Sequence, residues 1–373
     1  MKKILPVFGT RPEAIKMAPL IHRLQEPTAG FDVRICVTAQ HRELLDSALA
    51  FCGIVPDYDL NLMRPGQHPS ELFAAVVSGM QKVLDICKPD CILVHGDTVT
   101  SAAAALAACY ARCRVGHVEA GLRTGNRHSP FPEEINRQLT ARLADLHFVP
   151  TDRNRENLLR EGIPPENIFT TGNTGIDALL QSVEKIASPG FSHPQIEKLK
   201  KRIGLSLPVV LVTGHRRENF GPGLENICRA LHRIARETNA AIVCPVHPNP
   251  DVRKTVFGML GETENICLTP PLDYPAFVWL MHRATVVLTD SGGVQEEAPA
   301  IGKPVLVLRD TTERPEAVEA GTARLVGTDP ERIVRETLRL LNDPVHYRKI
   351  ARKTSPFGDG HACERIVCIL QKQ

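Results

Sequence analysis

The sequence predicts an α/β protein built from two doubly wound domains on parallel sheets, and three observations carry that expectation. First, short apolar runs alternate with amphipathic stretches: Ile4–Phe8, Val33–Val37, Cys91–His95, Val115–Val118 and Leu146–Val149, then Val209–Thr213, Ala241–Pro245, Val286–Thr289 and Pro304–Leu308. Runs this short and this apolar suit strands covered on both faces, and the stretches between them suit the crossover helices that parallel pairing requires. Second, 373 residues exceed what one core ordinarily serves, since a domain takes roughly 150. Third, the halves echo each other. Ile4 to Arg11 and Val210 to Arg217 both read strand, glycine turn, basic residue, then helix. Both turns fall at the carboxyl ends of strands, where open α/β sheets bind ligands, and two such halves facing each other would line a cleft with them. The turn-rich Ser188-Pro189-Gly190 region lies between the halves, with the junction near Gly172.

Composition narrows the function. Hydrophobic residues make up 43% and charged residues 23%, ordinary values for a globular chain. The 45 basic and 42 acidic residues are spread along the whole length, and one Trp and four Tyr offer little for base stacking, so no nucleic-acid surface is expected. No apolar stretch approaches the roughly 20 residues of a membrane helix; the Ala-rich run from Ser101 to Ala108 is far too short. Met1-Lys2-Lys3 has the charge of a signal peptide, but the apolar run stops at Gly9-Thr10-Arg11 without a small-residue cleavage site and reads as a first strand. Cys36, Cys91, Cys244 and Cys267 sit in apolar strand-like surroundings, and the count of 11 is odd. Buried free thiols in a reducing, cytoplasmic setting explain both facts. The pairs Cys87/Cys91, Cys109/Cys113 and Cys363/Cys368 lack zinc-site spacing, so no metal is expected.

Several turns carry chemistry. In Gly9-Thr-Arg-Pro-Glu-Ala-Ile-Lys16, Pro12 and Glu13 suit a helix start, which alone would make this a capped helix. Arg11 and Lys16, about a turn apart beside unpaired N–H groups, favour an anion site instead. Asp290-Ser-Gly-Gly-Val-Gln-Glu-Glu297 opens another helix, where Ser291, Gly292 and Gly293 leave a diphosphate room to approach and Glu297 can accept ribose hydroxyls. Arg314, in the loop Arg309 to Glu316, can close over a charged ligand. Neither Gly-x-Gly-x-x-Gly nor a Walker motif follows a strand, so a nucleoside diphosphate linked to another group is expected, with no dinucleotide cofactor.

Acid–base candidates gather at strand ends: Asp97, Glu119, Glu133 and His215. Each has a plainer reading. Asp97 can cap a helix, Glu119 can pair with Arg123, Glu133 can complement a helix dipole, and a lone His is commonly structural. Jointly they fit groups whose pKa values are driven apart for acid and base roles.

At these residues the chain resembles the non-hydrolysing UDP-N-acetylglucosamine 2-epimerases. The likeness runs through Gly9 to Pro19, Val37 to Arg42, His95 to Thr98, Gly116 to Thr124, Pro132 to Arg137, Thr213 to Asn219, Pro245 to Asn249, Thr289 to Pro299 and Arg309 to Glu316. The resemblance implies a GT-B-like fold of two Rossmann-like domains, 1–171 with 357–373 and 172–356, the C-terminal helix Ala362–Leu370 crossing back to the first. It implies reversible conversion of UDP-N-acetylglucosamine to UDP-N-acetylmannosamine for cell-surface polysaccharide synthesis, without cofactor or metal, by a homodimer. On that resemblance Arg11, His215, Ser291, Gly292 and Gly293 surround the diphosphate, Glu297 the ribose, with Lys16 and Arg314 nearby and Phe277 against the base. Asp97, Glu119, Glu133 and His215 match its catalytic positions. Gln40 and His41 match part of a second site for activating UDP-N-acetylglucosamine, where Glu43 and Gly66 replace Gln and Arg of some relatives.

The chemistry points the same way. The sugar C2–H is not adjacent to a carbonyl carbon, so direct deprotonation is beyond any side chain. Expelling UDP from C1 makes that proton acidic and leaves 2-acetamidoglucal, to which UDP adds back. Such an intermediate calls for domain closure. Three rivals stand beside this reading: a glycosyltransferase on the same fold, an epimerase for a diacetamido-uronic sugar with Arg123 or Arg127 on its carboxylate, and a non-catalytic sensor.

Overall fold

Val7 and Phe8, Ile92 to Val94 and Val209 to Leu211 are fully excluded from solvent, because each belongs to a parallel strand covered on both sides. The computed structural model describes residues 1–39, 42–64, 66–204, 206–214, 216, 219–352 and 355–373. The chain divides into two compact units, Met1–Ala178 with Phe357–Gln373, and Leu179–Pro356.

The elements of the first unit run β1 (Lys2–Phe8), α1 (Arg11–Gln25), β2 (Phe31–Val33), β3 (Cys36–Val37), α2 (Arg42–Cys52), β4 (Tyr58–Asp59), α3 (Pro69–Cys87), β5 (Cys91–His95), α4 (Val99–Tyr110), β6 (Arg114–Val118), α5 (Glu133–Leu143), β7 (Leu146–Val149), α6 (Asp152–Arg160), β8 (Ile168–Thr170) and the start of α7 (Thr174–Ala187). The second unit holds α8 (Pro194–Ile203), β9 (Val209–Thr213), α9 (Pro222–Glu237), β10 (Ala241–Pro245), α10 (Pro250–Leu260), β11 (Ile266–Thr269), α11 (Tyr274–Arg283), β12 (Val286–Thr289), α12 (Gly292–Ala300), β13 (Val305–Val307), α13 (Pro315–Glu319), β14 (Ala323–Leu325), α14 (Pro330–Asn342) and α15 (Pro344–Ile350); α16 (Ala362–Lys372) returns to the first.

The first sheet has the order β4-β3-β1-β5-β6-β7-β8 with β2 also on β1, and the second β11-β10-β9-β12-β13-β14; every pairing is parallel. From β1 the chain steps one way and from β5 the other, so right-handed crossovers send α1 and α2 to one face and α4 and α5 to the other. Accordingly α1 packs on α2 and α16, while α4 packs on α3 and α5. The all-round burial of α4 from Val99 to Ala105 explains its alanines: bulkier side chains would not fit between the sheet and two neighbouring helices.

The expected strand Val33–Val37 is two strands, and Pro6 supplies the reason. Arg34 N–H donates to Ile4 O at 3.0 Å, so the next ladder bond would run from residue 6 to Arg34 O. Proline has no N–H to give. Pairing lapses there and resumes at Val7 with Cys36. The short edge-region strands β4, β8 and β14 were not expected from the sequence.

The return of α16 is fixed by Asp177, which is 3% exposed and accepts the Ala362 and Cys363 N–H groups at 3.2 and 2.9 Å. Asp177→Ala would orphan both buried donors, and a loss of about 1–3 kcal/mol in urea unfolding is expected.

His95, His117 and His147 are all buried in this unit, and burial pushes their imidazoles down to about 4, 3 and 4. Their unfolded counterparts titrate near ~6.5, so below that pH the unfolded chain binds the extra protons and stability falls, by about 1.4 kcal/mol per pH unit for each. Glu13 and Asp177, whose carboxyls burial raises, work in the opposite sense but are two groups against three. Denaturant midpoints should therefore drop steeply between pH 6.5 and pH 4; a flat profile over that interval would contradict the buried neutral histidines.

Candidate functional site

In the first unit the turns that follow β1, β5 and β6 carry most of the expected groups. Gly9 ends β1 at a place where a Cβ would lie 2.2 Å from Thr38 Oγ1 and 2.5 Å from Thr100 Oγ1, so only glycine fits. Arg11 then opens α1, half-buried at the helix's positive end. One turn on, Lys16 Nζ donates to Glu119 Oε2 at 2.5 Å. Glu119 follows β6 with φ 60, a left-handed conformation that costs a non-glycine residue about 1 kcal/mol or more. His95, the last residue of β5, places Nε2 3.5 Å from the same Glu119 oxygen. Burial keeps that imidazole neutral near about 4 despite the pull of Glu119, and Lys16 pushes it further down.

Asp97 lies two residues beyond β5. Its Oδ2 accepts from Arg137 Nε at 3.0 Å and Nη2 at 2.7 Å, and its backbone oxygen accepts from Asn136 Nδ2 at 3.0 Å. Both partners belong to α5, whose first residue is Glu133. The Oε2 of Glu133 is buried with no hydrogen-bond partner among the described residues. Its neighbour Glu134 is fully buried and tied up by Thr124 N–H, Arg137 Nη1 and Gln138 Nε2. Burial alone would raise the Glu134 carboxyl, yet those donors bring it below the usual range. Thus Lys16, Glu119 and His95 form one contact group, and Arg137 joins Asp97 to the helix that carries Glu133. The alternative pairing of Glu119 with Arg123 is not adopted; Arg123 holds Glu161 through two bonds of 2.6 and 2.8 Å.

The second unit presents a different chemistry. Ser291 precedes α12, and its N–H donates to Thr289 Oγ1 at 3.0 Å. A Cβ on Gly293 would meet nothing within 4 Å, so space is open there, whereas one on Gly292 would lie 3.2 Å from the Arg314 guanidinium carbon. Arg314 therefore lies against the α12 N-terminus, held by Glu296 at 2.6 Å. Glu297 is half-buried one turn in, and Phe277 is half-buried in the first turn of α11. Asp290, 1% exposed, accepts Arg216 N–H at 2.9 Å and Asn219 Nδ2 at 3.1 Å, tying the turn after β9 to the turn after β12. His215, Gln40 and His41 lie outside the described residues.

Sequence reasoning missed Glu13, His95, Arg137, Asp290 and Glu296 as site-builders. Arg137 was findable, one turn after Glu133 and on its face; bonds from Glu13 or Asp290 to distant turns leave no local pattern. Among the described residues no group of three His, Cys, Asp or Glu side chains is arranged to hold a metal ion. No helix among them is long and apolar enough to cross a membrane. A separate cavity of about 640 Å³ in the first unit is lined by Leu60, Arg64, Gly66, Gln67 and Glu71.

Comparison with known proteins bears on this arrangement. The family model described as UDP-N-acetylglucosamine 2-epimerase matches residues 23–371. The UDP-N-acetylglucosamine 2-epimerase of Salmonella typhimurium is 54% identical over 370 residues, covering 99% of this chain and 98% of that protein. The enzyme of the same name from Escherichia coli K12 is 54% identical over 373 residues, covering 98% and 97%. Among solved structures, UDP-GlcNAc 2-epimerase from Neisseria meningitidis bound to UDP-GlcNAc superposes with a TM-score of 0.91 at 48% identity, over 100% of both chains. The Methanocaldococcus jannaschii enzyme in complex with UDP-GlcNAc and UDP gives 0.82 at 35%, again over 100% of both. With its paired GT-B-like α/β units and a match across nearly its whole length, the chain belongs to the UDP-N-acetylglucosamine 2-epimerase family.

Proposed function

We propose that this epimerase interconverts UDP-N-acetylglucosamine and UDP-N-acetylmannosamine by eliminating UDP to 2-acetamidoglucal and adding it back after C2 is reprotonated from the other face. The observation that carries the reading is the state of the carboxylates: Glu133 has a buried oxygen with no hydrogen-bond partner among the described residues, while Asp97 is oriented by Arg137. A polar atom left unsatisfied in a buried position is costly, and a substrate proton or hydroxyl would satisfy it.

Three tasks have to be met. Departing UDP needs positive character around its diphosphate, which the α12 N-terminus at Ser291, Gly292 and Gly293 supplies together with Arg314 and, from the first unit, Arg11. Removing the C2 proton and returning one to the opposite face needs two groups, for which we assign Asp97 and Glu133 without ordering them. Glu119, charge-paired with Lys16, is suited to stabilise the oxocarbenium-like sugar as the C1–O bond breaks. His215 is assigned with the diphosphate and catalytic groups, Glu297 to the ribose and Phe277 to the base. The UDP-GlcNAc bound in the Neisseria structure and the UDP-GlcNAc and UDP bound in the Methanocaldococcus structure support this choice of ligand.

Two further parts belong to the same reading. The cavity at Arg64, Gly66 and Gln67 is roomy enough for part of a second nucleotide sugar acting as activator, a ligand to which Gln40 and His41 are assigned on the sequence resemblance. No disulfide joins any of the 11 cysteines, and burial pushes Cys36, Cys91, Cys228 and Cys244 up to about 12, which suits a reducing cytoplasm and a role in supplying cell-surface polysaccharide synthesis.

Incubation with UDP-N-acetylglucosamine in deuterated water should place deuterium at C2 of both sugars; glycosyl transfer or mere binding would leave C2 protiated. Asp97→Asn and Glu133→Gln should each slow that exchange by about a hundredfold or more while UDP still binds. Unchanged exchange in either variant would remove that residue from the mechanism.

A further inference from the structure

Glu13 is 2% exposed, yet among the described residues it is surrounded by amide and hydroxyl donors and not by a cation. One oxygen, Oε2, faces its own turn, accepting Gly9 N–H at 3.1 Å, Thr10 N–H at 2.8 Å and Thr10 Oγ1 at 2.8 Å. That half is an ordinary capping arrangement, and an exposed Glu or Gln would serve it as well. The other oxygen does something capping does not require. Oε1 accepts from Thr98 Oγ1 at 2.7 Å, with Ser101 Oγ at 3.3 Å, both beyond β5 on the next strand of the sheet.

The two turns so joined carry Arg11 and Asp97. Between β1 and β5 the sheet reverses its direction of growth, so the helices after these strands diverge to opposite faces and give the turns no support from each other. A carboxylate reaching both replaces that support. Burial pushes the Glu13 carboxyl up, so ionising it there is unfavourable unless every lone pair is bonded, which makes the linkage demanding of geometry. Thr98 in turn accepts Ser101 N–H at 3.1 Å, fixing the start of α4 immediately after Asp97.

We propose that Glu13 is a positioning residue for the epimerisation: its buried carboxylate clasps the Arg11 turn to the Asp97 turn and so sets the spacing between the diphosphate-binding cation and the acid–base carboxylate. The inference rests on the roles given above to Arg11 and Asp97. It adds a residue that touches neither substrate nor product.

The test separates clasp from cap. Glu13→Ala removes both, Glu13→Gln preserves shape and can still accept the Gly9 and Thr10 N–H groups, and Thr98→Val removes the far side of the clasp together with the Thr98 cap on Ser101 N–H, which the Glu13 variants leave in place. Steady-state kinetics, C2 deuterium exchange and competitive inhibition by UDP are measured on each, per folded molecule. Glu13→Ala and Thr98→Val should lower kcat by about 10- to 100-fold, since a misplacement of about 1 Å is enough for such a loss, and Thr98→Val, which leaves the Arg11 turn capped, should keep the UDP inhibition constant. Glu13→Gln should fall between these and the unmutated enzyme, and Thr98→Ser, which keeps the hydroxyl, should recover kcat. If the variants lose only thermal stability and keep the unmutated kcat and exchange rate, Glu13 is a cap and the proposal is overturned. Absence of exchange in the unmutated enzyme is a different result, which brings down the elimination reading and this inference with it.

Discussion

In each unit a buried carboxylate spans the two turns that flank the point where strand order reverses. Glu13 does so between the turns after β1 and β5, and Asp290 between those after β9 and β12. A threonine pair lies near each crevice: Thr213 and Thr289, the last residues of β9 and β12, at 2.6 Å, and in the first unit Thr38 after β3 with Thr100 in the first turn of α4 at 2.8 Å. A switch point is where a doubly wound sheet opens a crevice, and an open crevice leaves backbone groups that water would otherwise claim. Bonding the turns to one another keeps the crevice shaped without filling it.

With that frame fixed, the units differ in what they offer. Carboxylates dominate the first, with His95 kept neutral beside Glu119 so that Lys16 is the local positive charge. The second offers a helix N-terminus, open space at Gly293 and an arginine already directed by Glu296. One set suits moving protons, the other suits holding phosphate. A carboxylate beside a departing diphosphate would repel it, so carrying the two sets on different units fits the proposed elimination, in which the nucleotide has to remain bound.

Much of this was legible in the sequence. The strands β5, β7, β9, β10 and β12 match the apolar runs residue for residue, because a strand buried on both faces has no polar alternation to confuse it. The glycine turn after β1 has a reason of its own: close approach excludes other side chains, as the clash at Gly9 shows. What stayed hidden depends on partners far away in sequence. The break between β2 and β3 is imposed by Pro6 on a neighbouring strand. Glu133 was singled out by the resemblance, but the physical difference from its neighbour Glu134, which is buried against Thr124 and Arg137, was not visible in two adjacent identical residues. Strands β4, β8 and β14 have two or three residues each, too few to establish a pattern.

The echo between the halves has a limit that bears on its origin. The strand, glycine, basic residue and helix recur in corresponding places, but the clasps do not. Glu13 stands on the helix after the first strand of its pair and reaches forward to the turn of the second, whereas Asp290 stands after the second strand, β12, and reaches back to the turn of the first, β9. No alignment of the two halves would superpose these residues. The same contact has been reached from opposite sides of the switch point, which is expected if the need is physical and independent of descent: two diverging turns must be joined, and either can carry the acid.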